Sequence, residues 1–300
     1  MVSRSPKDAN EFIEQQLGSR LRAFGESFDS DMLSFNGALV FGVDDFVRNA
    51  IESMRQSSQN RRKLTVVLTT FGGYIEIVHR VVDTLRYHYK HVNFVVPSHA
   101  FSAGTVLVMS GDTIYMDYYS RLGPIDPQVE TAKGPVVPAL GYLIQWERLL
   151  KKARKGKLTM AEMQLMIDGF DQAELYKYEQ ERELSIALLE EWLVNYKFKN
   201  WKTTETQRKR VTKAMRKKRA KAIAKELNNP EKWHTHGHGI SMEVLRRDLK
   251  LLIDDFGEHP ELSGKIKDYH SLLTDYMAKR GNRGVIHTIG AYLPFSWEVS

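Results

Sequence analysis

Ser102 stands in VVPSHAFSAGT (Val95–Thr105), between an aromatic residue and two small ones. A β-forming run from Val92 to Pro97 ends just before it, and a second apolar run begins at Val106. A hydroxyl at such a junction serves either as a nucleophile or as the cap of the helix that follows. A nucleophilic serine needs a base at neutral pH. His234, His236 and His238 alternate in HTHGHG, which puts three imidazoles on one face of an extended segment. They are a site histidine with its neighbours, a zinc-binding set, or plain loop. Asp126 lies in GPIDP, where its carboxylate either bonds backbone amides in a rigid turn or faces a site. Gly72-Gly73 closes a strand and makes a tight turn.

These residues need elements to bring them together. KLTVVLTTFGG reads as a buried strand, Leu64–Thr69, running into the Gly-Gly turn. Residues 74–90 follow as a helix, with Ile77, Val78, Val81, Val82 and Leu85 at helical spacing. HVNFVVP is the second strand, residues 103–110 the next helix, and DTIYMD the third strand, before the loop SRLGPIDPQV. Upstream, Asp44 or Asp45 is placed to cap a helix whose apolar face is Phe46, Val47, Ala50, Ile51 and Met54. Alternating strands and helices at this spacing predict right-handed crossovers and a mostly parallel sheet. Sites in such sheets lie beyond the carboxyl ends of the strands. Gly72-Gly73, Ala100–Thr105 and Asp117–Pro127 all fall at that edge.

The 300 residues contain no cysteine, which excludes thiol catalysis, disulfides and zinc–thiolate sites. The N-terminus has no apolar stretch of signal-peptide length, and no run approaches the about 18 apolar residues of a membrane span. A cytoplasmic, soluble protein is expected. Net charge is +7, but Lys197–Lys225 carries thirteen Lys or Arg against Glu205 alone. The rest of the chain is therefore mildly acidic. The basic face of Arg208–Lys221 suits nucleic acid or an acidic partner, or is a solvated surface. The expected organisation is an N-terminal arm (1–35), an α/β core (36–137), a helical segment with the basic helix (138–228), and a C-terminal part of the core with a tail (229–300). An Ile-Ser signal caps a helix at Ser241, and NRGVIHTIGAYLP is an edge strand or tail.

TTFGG after a strand, then VPSHAFSAGT, then IYMDYYSRLGPIDPQV resembles the ClpP/crotonase superfamily, and within it the SppA-like serine dehydrogenase proteinase (Sdh) family. The likeness covers roughly residues 36–130, and WHTHGHGI resembles a later signature of that family. It implies a spiral core of repeated β-β-α units with a helical C-terminal extension, and a serine peptidase acting on peptide or protein substrates. It implies Ser102 as the nucleophile, Gly73 with Gly72 at the oxyanion and substrate side, and Ala103 as the second amide donor. It implies His236 as a base, with Asp126 orienting it. Lys133, Lys151 or Lys152 is the alternative, as in Ser–Lys dyads. It implies a homo-oligomer, and no cofactor or metal is expected. The physics fits, because a serine at a helix N-terminus sits beside unpaired amides and the positive dipole end. One departure stands out: Ile125 and Asp126 occupy the place where ClpP itself carries its histidine. A non-catalytic oligomeric scaffold, or an enzyme using the same oxyanion hole on a thioester, are the competing functions.

Overall fold

Strand Lys63–Thr69 is buried at every position after its first residue, as expected of a central parallel strand covered on both faces. The computed structural model describes residues 6–57, 62–125, 128–130, 136–204, 207–233 and 237–297. Its first half runs α1 (Ala9–Glu26), β1 (Asp31–Asn36), α2 (Val43–Ser57), β2 (Lys63–Thr69), α3 (Ile75–His88), β3 (His91–Val95), β4 (His99–Ala100), α4 (Ala103–Met109), β5 (Thr113–Met116) and β6 (Arg121–Leu122). A hairpin, β7 (Gln128–Glu130) and β8 (Val136–Pro138), leads into α5 (Ala139–Arg154), α6 (Met160–Gly169) and α7 (Gln172–Trp192). A π-helical turn, Leu193–Lys197, precedes α8 (Lys213–Leu227) and α9 (Pro230–Trp233). The chain closes with β9 (Ile240–Ser241), α10 (Met242–Arg247), β10 (Asp254–Asp255), α11 (Pro260–Arg280), β11 (Gly284–Thr288) and β12 (Ala291–Phe295).

The main sheet has seven strands in the order β10-β5-β3-β2-β1-β11-β12. The first five are parallel; β11 and β12 are antiparallel. Alternate side chains feed two cores. Leu33, Phe35, Val66, Leu68 and Phe94 face α2, α3 and α4. Met32, Val67, Val95 and Val285 face α1 and α11. The fold is thus α/β with a mostly parallel sheet between two helical layers, and no described helix is long and apolar enough to cross a membrane.

Several local expectations change. Within the expected N-terminal arm, the described residues 6–35 pack into the body: Leu17, Leu21 and Phe24 of α1 are buried, and β1 pairs with both β2 and β11. The reason is tertiary, since polar α1 shows one narrow apolar stripe that only α11 and the sheet give a purpose. The C-terminal run is a hairpin whose first strand lies inside the sheet, its five residues all buried. α2 begins at Val43, so Asp44 and Asp45 lie in its first turn rather than capping it. Past the π-helical turn, the basic segment becomes α-helical at Lys213, after Arg208 takes a left-handed φ of 50°. Ser241 does cap α10, accepting from the Val244 amide at 3.4 Å.

Two imidazoles are folded into this body. His287 on β11 is 2% exposed, with Nδ1 2.8 Å from the Tyr269 hydroxyl, and burial pushes it down to about 4. His270 on α11 pairs with Thr69 Oγ1 at 3.1 Å; burial, then the neighbouring His99, pushes it down to about 4 as well. Both stay neutral in the folded chain and take up protons on unfolding below about pH 6.5. A depressed folded pKa means that stability is complete above about pH 6.5 and declines as pH falls, by ~1.4 kcal/mol per pH unit for each proton taken up. The melting temperature is expected to fall steadily between pH 6.5 and 4.5, and His287→Gln to flatten that slope by about one proton's worth.

Candidate active site

The carboxyl edge of β2 continues past Thr69 as an extended segment held on two sides. On one side, Thr70 bridges Ala100: its amide donates to the His99 carbonyl (3.1 Å), and the Phe101 amide donates to the Thr70 carbonyl (3.0 Å). On the other, the Leu39 amide donates to the Gly72 carbonyl (2.9 Å) and the Tyr74 amide to the Leu39 carbonyl (2.8 Å). Gly72 and Gly73 have φ of 107° and 147°, where side chains are strained. A Cβ on Gly72 would lie 2.8 Å from the Phe101 carbonyl, 2.9 Å from Ser102 Cβ and 3.3 Å from the Ala103 nitrogen. The Gly-Gly turn and the Ser102 turn are therefore in contact, as their place at one sheet edge predicted.

Ser102 occupies φ 53°, ψ −122°, and its side chain makes no capping bond to α4. The simple cap reading fails on both counts. An L-residue at this conformation costs on the order of 1–3 kcal/mol and persists only where the surroundings impose it. A sharp, strained strand-to-helix turn is also how a serine hydroxyl is presented away from its own helix. The first free amides of α4 follow at once. Gly104 and Thr105 donate back to the Phe101 and Ser102 carbonyls, each at 2.8 Å, whereas the Ala103 and Gly73 amides find no acceptor among the described residues.

The loop after β5 is tied to the same place. Buried Asp117 accepts from the Tyr119 and Ser120 amides, both at 3.0 Å, and Ser120 Oγ donates to the Val96 carbonyl at 2.6 Å. Thr105 Oγ1 lies 2.8 Å from the Ala100 carbonyl and 2.9 Å from the Gly123 carbonyl, and accepts the Gly123 amide at 3.0 Å. Farther along, the Ile125 amide donates to the Leu227 carbonyl (3.0 Å) and Asn228 Nδ2 to the Ile125 carbonyl (2.8 Å). The C-terminal end of α8 thus holds the chain up to the residue before Asp126. Asn228→Ala would leave the Ile125 carbonyl without its donor and is expected to cost about 1–3 kcal/mol in urea unfolding.

β6 pairs with β4 on one side and with β9 on the other. This small sheet brings Ile240 and Ser241, which directly follow the histidine-rich segment, within two strands of His99 and Ala100. His238 packs its ring 5.6 Å from buried Trp233. His234, His236, Asp126 and Lys133 lie outside the described residues. Lys151 is exposed on α5, and Lys152 is engaged by Glu162 on its exposed outer side. Among the described residues no group of three or more His, Cys, Asp or Glu is placed to hold a metal ion.

The sequence reading passed over several residues of this edge. His99 is half-buried, with Nδ1 3.0 Å from Ser98 Oγ and its ring 4.2 Å from Phe71 and 5.4 Å from Phe101; burial lowers its pKa, keeping it neutral. Phe71 and the Phe41–Tyr74 pair leave apolar rings exposed beside the Gly-Gly turn. The string SHAFS holds a histidine three positions before the serine, but within a β-forming run it looks like any strand residue. Thr105 and Asn228 carry no sequence signal of their role, because their partners are 18 and 103 residues away.

Residues 34–163 match the family described as ClpP-like SDH-type serine proteinase. Two uncharacterized proteins of Methanocaldococcus jannaschii are similar: MJ0137 at 29% identity over 104 residues, and MJ1495 at 24% over 120. These alignments take in 33% and 39% of this chain, and the chain spans only 36% and 40% of the two relatives. Among solved structures, a serine-to-alanine mutant of the 1510-N membrane-bound stomatin-specific protease aligns over 77% of this chain and 81% of its own, at 13% identity and a TM-score of 0.44. A lysine-to-alanine mutant of that protease, in complex with a substrate peptide, aligns over 37% and 54%, at 19% identity and a TM-score of 0.32.

Proposed function

We propose, from a chain whose residues 34–163 belong to the ClpP-like SDH-type serine proteinase family, that this protein hydrolyses peptide bonds through an acyl-enzyme on Ser102. The observation that carries the reading is the backbone of Ser102, held at φ 53°, ψ −122° with no side-chain cap bond to α4. Structural serines at helix starts have no reason to bear that strain.

In this reading an extended peptide lies along the Gly-Gly turn, with apolar side chains against Phe71 and the Phe41–Tyr74 pair. Ser102 Oγ attacks the scissile carbonyl, and the Gly73 and Ala103 amides hold the oxyanion. A base takes the serine proton and returns it to the leaving amine; water then releases the acid by the same route. His236 is assigned as that base, with Asp126 orienting it. The family resemblance and the seating of β9 beside β6 support the assignment. Assembly into a homo-oligomer belongs to the same proposal.

A fluorophosphonate probe on the full chain tests the reading. Labelling that disappears in Ser102→Ala is expected. A folded wild-type chain that takes no label would transfer the fold to the scaffold function, and label surviving Ser102→Ala would move the nucleophile elsewhere.

A further inference from the structure

The exposed face of α8 is not explained by the site. Lys213, Lys217, Lys221 and Lys225 recur every four residues along it, all exposed, with Lys218 beside them. At 1.5 Å per residue they form a stripe about 18 Å long with a cation roughly every 6 Å. The exposed loop Arg208–Arg210 extends it at the N-terminal end. None of these cations pairs with a carboxylate among the described residues. Some exposed helix cations elsewhere are paired one turn away, as Arg48 is with Asp45 and Lys279 with Asp275, whereas others, such as Lys151 and Lys267, stand singly among the described residues; what sets α8 apart is the regular row. The only acid of α8, Glu226, is engaged by Lys232.

Helix stability does not account for the stripe. The first turn of α8 has no acid and opens on Lys213, which opposes the helix dipole; of the row only Lys225, in the last turn, complements it. Packing does not account for it either, since Ala220, Ile223, Ala224 and Leu227 already supply the buried side. We infer that this face binds the phosphate backbone of a nucleic-acid duplex without reading its sequence.

The choice of partner rests on what the face lacks. Its exposed apolar residues are alanines alone, Ala214 and Ala222, so it has no core for a protein interface. Its apolar side is buried against the body and is not available to enter a membrane. It presents no exposed aromatic ring for stacking unpaired bases. A regular row of one sign matches a duplex, whose charges recur every ~1.7 Å along the axis.

The test is fluorescence anisotropy of the full chain with a mixed-sequence 24-base-pair DNA duplex in buffers of roughly 50 to 200 mM salt. Neutralising about five phosphates predicts a slope of about −4.5 in log K against log salt. Lys213, Lys217, Lys218 and Lys221, all changed to Gln, should reduce that slope by about 3.6, at ~0.9 per cation. Ser102→Ala should bind as wild type does. No binding at the lowest salt, or a wild-type slope near zero, overturns the inference whatever the variant does. Binding unchanged in a folded quadruple Gln variant also overturns it. So does displacement by polyglutamate, or preference for phosphatidylserine vesicles, at equal charge; these would assign the face to acidic proteins or to membranes. Should the Gln variant not fold, the same four positions changed to Arg must retain the wild-type slope.

Discussion

Ser102→Ala is expected to lower peptide hydrolysis by about 10⁴-fold or more, because the remaining members of such a site accelerate little without their nucleophile. Ser102→Gly should be equally inactive but should differ in stability. Glycine adopts φ 53° without steric cost, so it releases strain on the order of 1–3 kcal/mol at Ser102, offset in part by the greater freedom of unfolded glycine. A net gain of about 1 kcal/mol would raise the melting temperature of a chain this size by about 2 °C over Ser102→Ala. The comparison separates the two roles of the position. Inactivity tests the nucleophile; the order of the two melting temperatures tests the strained backbone. A Gly variant less stable than the Ala variant would remove the observation on which the proposed function stands. Retained hydrolysis in both would remove the function itself.

The largest expected loss of stability lies at the other end of the sheet, where β3 and β5 begin. Asp112 is 2% exposed along its side chain, accepts from Arg86 Nη1 at 2.7 Å and from the Val92 amide at 2.8 Å, and pairs with Lys199. Arg86 is itself only 10% exposed, lies 3.6 Å over the Tyr196 ring, and donates to the Ser110 carbonyl. The carboxylate thus joins α3, β3, β5 and the chain after the π-helical turn. Asp112→Ala leaves the Arg86 charge buried without its partner and should cost about 3–5 kcal/mol. Asp112→Asn, which keeps an acceptor, should cost less. Burial pushes the Asp112 carboxyl up, but Arg86, Lys199 and the Val92 amide outweigh it and hold the group below its ordinary value. A depressed folded pKa gives stability that is present above the unfolded value near pH 3.9 and lost as pH falls through the folded one. Acid unfolding below about pH 4 should therefore be less steep in Asp112→Ala than in wild type. Turnover per folded molecule should not change, because the cluster lies at the end of the sheet away from Ser102. A loss of turnover matching the loss of stability would show that the two ends are coupled.

The sequence carried the elements whose signal is local. β2 and α3 are set by a β-branched run and a helical apolar stripe, so their bounds fall within a residue or two of expectation. The convergence of Gly72, Ser102 and the loop after β5 was legible for a similar reason: alternating strands and helices leave the carboxyl ends of parallel strands at one edge. The cap reading of Ser102 stood there, since composition permits a cap and only the folded backbone angles and the missing cap bond exclude it.

What the tertiary structure decided are the contacts between segments far apart in the chain. The final hairpin joins the sheet because β11 pairs with β1 across about 250 residues, and polar α1 packs with α11 on that sheet's face. Ile240 and Ser241 come within two strands of the serine loop through β6 and β9, each too brief to leave a periodic pattern. The end of the basic helix holds Ile125 through Asn228, a bond between residues whose types alone promise nothing. Periodicity is a property of neighbours in sequence and survives without a fold. Register, close approach at Gly72 and the strained angles of Ser102 exist only when distant segments pack against one another and leave no other conformation open.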